Sequence, residues 1–62
     1  MREFLTIDEA AEYTRLSKPT IYRLTSRKQI PFVKVGGKVL FKFVRLEKWL
    51  ESQSVEPEVN HV

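Results

Sequence analysis

Residues 6–21 read Thr6-Ile7-Asp8-Glu9-Ala10-Ala11-Glu12-Tyr13-Thr14-Arg15-Leu16-Ser17-Lys18-Pro19-Thr20-Ile21, and they hold two helix starts in quick succession. In the first, Thr6 and Glu9 have the spacing of a capping box. The threonine hydroxyl accepts from the Glu9 backbone N–H, and the Glu9 carboxylate accepts from that of Thr6. Leu5 precedes the cap and is placed to pack on Ala10 as a hydrophobic staple. A helix over 7–14 follows, with Ile7, Ala10, Ala11 and Tyr13 as its apolar contacts. In the second start Ser17 is the cap and Pro19 falls in the first turn, where a missing N–H costs little. Ile21 and Leu24 lie three apart and share an inward face. Pro19, Tyr22, Arg23, Ser26 and Arg27 point the other way, and the helix is predicted to end near Arg27 or Lys28, before Ile30-Pro31. Only Arg15 and Leu16 lie between the two helices. So short a link predicts a steep crossing with Leu16 filling the corner, the geometry of a helix-turn-helix.

Downstream the hydrophobic period changes. Phe32-Val33-Lys34-Val35 and Lys38-Val39-Leu40-Phe41-Lys42 flank Gly36-Gly37, a hairpin signal. A two-residue Gly-Gly loop places Lys34 on the face of Val39 and Phe41. A three-residue loop, Gly36-Gly37-Lys38 with a bulge, instead groups Val33, Val35, Val39 and Phe41 inward. The second is the expectation, because it turns Lys34 and Lys42 outward with Lys38 in the tip, at the cost of exposing Leu40. A last helix over 44–52 brings Leu46, Trp49 and Leu50 to one face and closes the core. Phe32, Phe41, Leu46 and Trp49 are read as core. The fold class is therefore α+β and mostly α: three helices, with a two-stranded hairpin wing before the last. Residues 1–52 form the domain and 53–62 a flexible tail, which contains Pro57 and no periodicity.

At 62 residues there is room for one domain, with a small core and marginal stability. There is no cysteine, hence no disulfide framework and no zinc knuckle. No apolar run approaches the roughly 20 residues of a membrane span, and the first residues lack a secretory pattern. A cytoplasmic protein, with no membrane partner, is the expectation. The net charge is +3, unevenly spread. From Arg15 to Lys48 ten basic residues stand against Glu47 alone, a local charge of +9; the remainder carries −6. A basic middle between acidic ends points to a polyanion.

Catalysis finds no support. The single histidine, His61, sits in the tail, Asp8 and Glu9 are occupied at a helix N-terminus, and Gly36-Gly37 precedes no helix that would make it a phosphate loop. No cofactor is expected. The second helix carries the functional signal instead. Its N-terminus offers backbone N–H groups and the Ser17 and Thr20 hydroxyls to a phosphate oxygen. Arg23 suits the O6 and N7 of guanine, and Tyr22 a phosphate or a thymine methyl. Arg27 and Lys28 are placed for the opposite backbone. In the hairpin, Lys34, Lys38 and Lys42 around the glycine tip suit phosphate contact or minor-groove approach. The same lysines also discourage edge-to-edge strand pairing. Protein interaction through the basic face, with an acidic partner such as a recombinase, is the competing reading. RNA binding has little behind it, since no exposed aromatic pair offers base stacking. An interface this small predicts modest affinity, and so further copies of the chain on adjacent DNA sites.

The runs 5–13 and 16–24 together resemble the excisionase-type branch of the MerR-like helix-turn-helix DNA-binding proteins. So do Ile30-Pro31, Val33-Lys34-Val35-Gly36-Gly37-Lys38, Phe41 and Leu46-Glu47-Lys48-Trp49-Leu50. The resemblance covers about Phe4 to Glu51. It implies a winged helix-turn-helix with the second helix in the major groove and the hairpin on the flanking backbone. It further implies a prokaryotic or phage protein that bends duplex DNA for an integrase as a recombination directionality factor, or else regulates transcription in a mobile element. The site residues expected to meet DNA are Ser17, Lys18, Pro19, Thr20, Tyr22, Arg23, Arg27, Lys28, Lys34, Gly36, Gly37, Lys38 and Lys42. Two positions depart from the family pattern. Arg15 stands where a turn glycine is common, so either the turn avoids positive φ or it stores strain. Val44-Arg45 replaces a Ser-Asp helix start, losing a cap worth about 1 kcal/mol.

Overall fold

The computed structural model describes residues 3–55; residues 1–2 and 56–62, which include most of the expected tail and His61, lie outside the described part. In chain order the elements are β1 (Phe4–Leu5), α1 (Ile7–Thr14), α2 (Lys18–Ser26), β2 (Val33–Val35), β3 (Lys38–Lys42) and α3 (Phe43–Ser52). Three helices with a hairpin before the last make up the expected winged arrangement. No described helix is long and apolar enough to cross a membrane.

The two N-terminal signals act as their residue types dictate. At α1 the Thr6 N–H donates to Glu9 Oε1 (2.9 Å) and the Glu9 N–H to Thr6 Oγ1 (3.2 Å), closing the capping box. At α2 the Thr20 N–H donates to Ser17 Oγ (3.3 Å), and Pro19 sits in the first turn. Between them α1 stops at Arg15, which adopts the left-handed conformation (φ 65°, ψ 22°) and returns its N–H to Ala11 O. The Thr14 hydroxyl accepts the Leu16 N–H (3.3 Å) and completes the turn. Strain is thus stored at Arg15, on the order of 1 kcal/mol for a residue with a Cβ in this region.

The C-terminus of α2 is a second left-handed stop. Lys28 has φ 55°. Its N–H donates to Thr25 O, and the Gln29 N–H reaches back to Leu24 O (2.8 Å). This pair of bonds is the Schellman arrangement, normally built on glycine.

The hairpin corrects the expectation. The register is Val33↔Leu40, Lys34↔Val39 and Val35↔Lys38, so the loop is the two residues Gly36-Gly37 and Lys38 belongs to β3. Both glycines have positive φ (53° and 81°), as the tight primed turn of twisted strands requires. Directly opposed residues share a face, so Lys34 lies with Val39 and Phe41, while Val35 goes to the outer face with Lys38. Lys34 and Lys42 therefore sit on opposite faces. Val35 is 59% exposed and Leu40 half-buried, the reverse of the bulged reading. Lys34 remains exposed, although its partner Val39 packs against the core.

A strand that sequence patterning does not show adds a third member to the sheet, in order β1-β3-β2. Its pairs are Phe4↔Lys42 and Leu5↔Phe41. This strand also settles the weak start of α3, which begins at Phe43 with no side-chain cap. Lys42 is at the cap position, so Val44-Arg45 fall within the first turn and not at the cap. The Phe43 N–H donates to Glu3 O (2.8 Å), which satisfies one of the first-turn donors through main chain.

The core consists of Leu5, Ala10, Ile21, Ile30, Phe41 and Leu46, with Ile7, Ala11, Leu16, Leu24, Phe32, Val39, Phe43 and Trp49 packed around it. Each fully buried large side chain contributes about 1.5–3 kcal/mol. Phe41, Ile21 and Leu46 are the largest of these. Leu5 and Ala10 share this cluster, as the staple requires. Ile30 and Thr25 were not expected inside. Thr25 follows Ile21 by one helical turn and spends its hydroxyl on Tyr22 O (2.9 Å), which makes its burial tolerable.

Candidate nucleic-acid interface

The outer face of α2 is built as its periodicity demands. Pro19, Tyr22, Arg23, Ser26 and Arg27 are exposed while Ile21 and Thr25 are buried beneath them. Tyr22 is 55% exposed. Arg23, Arg27 and Lys28 continue the exposed cationic surface toward the C-terminal end. No carboxylate interrupts the helix between residues 18 and 28.

The N-terminus of α2 has less to give than its sequence suggests. Pro19 has no N–H, Thr20 donates to Ser17 Oγ, and Ile21 donates to Ser17 O. That leaves the backbone N–H of Lys18. The Ser17 and Thr20 hydroxyls bond one another (2.9 Å), so one O–H of the two is used and the other stays available.

The hairpin brings its tip to this helix. Gly37, Lys38 and Val39 form one wall of an open groove whose other walls are Lys18 and Tyr22 of α2 and residues 6–8 at the start of α1. Of the expected site residues, Lys18, Tyr22, Gly37 and Lys38 are thus brought together. Gly36 completes the loop beside them, and a Cβ on either glycine would meet nothing within 4 Å. The need for glycine there is conformational only. Lys34 stands exposed across the ladder from Val39. Lys42 is apart from the tip, at the other end of β3. It faces Glu3 (3.8 Å) and lies over the Phe4 ring (5.8 Å), so part of its charge serves the β1–β3 junction.

One participant was not expected. Asp8, assigned to the α1 dipole on sequence grounds, meets Lys18 Nζ at 2.6 Å across the helix-turn-helix corner. The hydrogen bond to Asp8, and then the attraction of its charge, hold the Lys18 ammonium above the ordinary lysine range. Nothing in the spacing of residues 8 and 18 signals the pair, because the turn decides it.

Two helices joined by a three-residue turn, the second bare of acid and flanked by a glycine-tipped hairpin, match a known pattern. The profile of the helix-turn-helix domain family matches residues 4–54. The chain belongs to the helix-turn-helix domain family. No curated protein and no solved structure matches it significantly. The matched span runs from β1 to just past α3, so the family pattern takes in the wing and the last helix as well as the corner. In this helix-turn-helix protein α2 is the second helix of the motif, the one that meets DNA in such domains.

Proposed function

We propose that this helix-turn-helix protein binds duplex DNA in a sequence-specific manner, with α2 in the major groove and the hairpin tip on the adjacent backbone or minor groove. The observation that carries this reading is the shared groove of Lys18, Tyr22 and Lys38 beside an outer helical face that holds only neutral and cationic groups. In this reading Tyr22 and Arg23 face base edges. Ser17, Lys18, Pro19 and Thr20 approach one phosphate strand, Arg27 and Lys28 the other, and Lys34, Gly36, Gly37 and Lys38 the backbone beside the wing. Lys42 contributes to the local positive potential. The role is binding, not catalysis, and needs no cofactor.

The biological role proposed is that of an excisionase-like recombination directionality factor, which bends DNA for an integrase and binds as adjacent copies. It rests on the sequence resemblance together with the small size of the surface. The helix-turn-helix membership supports the DNA-binding part of the reading.

The test begins with selection of a preferred duplex from random sequences, followed by anisotropy titrations on that duplex and on random DNA. Arg23→Ala should weaken the selected duplex by about 1–3 kcal/mol while changing random DNA little. An unchanged ratio would remove Arg23 from base reading. Added to an integrase reaction with its attachment sites, the chain should favour excision over insertion; no change in direction would leave DNA binding standing without the recombination role.

A further inference from the structure

The groove between the α1 start, α2 and the hairpin tip has one acid on its walls, and that acid is bonded to one of its two lysines. Asp8 is well exposed (its side chain 74%, that of Lys18 55%), so the pair adds little to folding. The capping box at the same helix start is already completed by Glu9. Asp8 suits the first turn of α1, but the helix dipole does not require its carboxylate to bond Lys18 in a groove otherwise fit for a polyanion.

We infer that the groove is the seat of a DNA backbone phosphate, and that the Asp8 carboxylate occupies on Lys18 the place that phosphate takes in the complex. This rests on the DNA-binding reading above. Lys18, whose ammonium meets Asp8, and Lys38 from the wing both line the seat, and the Lys18 backbone N–H is the donor left at the α2 start beside it. Like the carboxylate, a phosphate oxygen accepts a charge-assisted hydrogen bond from the ammonium, so one can replace the other without repacking. The exchange has a defined consequence. In the free chain Lys18 is already neutralised, so its engagement with DNA releases a phosphate counterion but unpairs Asp8. The net electrostatic gain is smaller by about one ion than the count of cations suggests. Asp8 therefore holds down the affinity of a single copy, and stable occupancy falls to several copies side by side.

The test measures binding of wild-type chain, Asp8→Asn, Lys18→Ala/Asp8→Asn and Glu12→Gln to a labelled random-sequence duplex across a salt series. Glu12 is an exposed acid on the same helix that does not line the groove, and its removal changes the net charge equally. Asp8→Asn should tighten binding about eightfold at 0.1 M salt and steepen the log–log salt slope by about 0.9. Glu12→Gln should do much less. The double variant, which removes both partners, should return to within about twofold of wild type. Asp8→Ser, also suited to a helix start, should repeat the Asp8→Asn result.

The inference is overturned if Asp8→Asn does no more than Glu12→Gln, or if the double variant stays as tight as Asp8→Asn. Either result makes Asp8 a source of general repulsion, with Lys18 no phosphate ligand. Absence of salt-dependent duplex binding by the wild-type chain is a different failure: it removes the DNA-binding reading itself, and the phosphate seat with it.

Discussion

The indole Nε1–H of Trp49 donates to the backbone carbonyl of Gln29 at 3.0 Å, which ties α3 to the segment leaving the C-terminus of α2. That segment begins with the left-handed Lys28 and ends at Ile30, which is buried in the core. The bond thus anchors the segment just past the Schellman stop of α2 to α3. Trp49→Phe keeps most of the ring burial and removes the donor. Stability should fall by about 1 kcal/mol, read as a lower midpoint in urea with an unchanged slope. A midpoint equal to wild type would make the bond dispensable.

Lys28→Gly should move stability and binding in opposite directions. Glycine relieves the positive φ of the Schellman turn, and after its greater unfolded-state freedom is counted the gain is about 0.5–1 kcal/mol. The same change deletes a proposed phosphate contact, so the salt slope of DNA binding should flatten by about one unit. Arg15→Gly should stabilise through the same relief at the other left-handed stop (φ 65°). Thermal melts and salt titrations on the two variants check this.

The wing tip requires backbone freedom, not space. Gly36→Asn should be tolerated, since asparagine followed by glycine suits the two-residue loop. Gly37→Val should cost roughly 2 kcal/mol or more, because a β-branched residue is forced to a φ near +81° with no clash to blame. Equal stability of the two variants would argue against the primed turn.

Lys38 and Lys42 lie on the same strand and face but should not be equivalent. Lys38→Ala removes a cation from the groove and should flatten the salt slope by about one unit, with equal loss on selected and random duplexes. Lys42→Ala removes a partner of Glu3 and Phe4 at the far end of the strand and should flatten it less. Equal slopes for the two would place the wing differently on DNA.

Phe41 is the centre of the core, with no accessible surface, and it pairs with Leu5 of β1. Phe41→Ala should cost about 3–5 kcal/mol. In a domain of this size that is enough to unfold much of the population at 25 °C, visible as lost helical circular dichroism.

The parts of this protein that could be read directly from residue order are those whose partners lie three or four positions apart. Thr6 with Glu9 and Ser17 with Thr20 start the helices where expected, because helical geometry alone brings those groups within bonding distance. The exposed face of Tyr22, Arg23 and Arg27 follows from the same short-range regularity, and so does the position of the hairpin at Gly36-Gly37. Long-range packing settled the remainder. A two-residue strand such as Phe4–Leu5 has no periodicity to detect and exists only because β3 offers it an edge. Whether two or three residues form the hairpin loop turns every side chain of β2 over relative to β3, and a local pattern of valines fits both. The strands' common twist favours the tight primed turn, which two consecutive glycines at positive φ can form. Asp8 and Lys18 meet only once the corner has closed. Their contact, which decides how much of the cationic face is free for DNA, belongs to the folded chain because charges ten residues apart find one another by geometry and not by spacing.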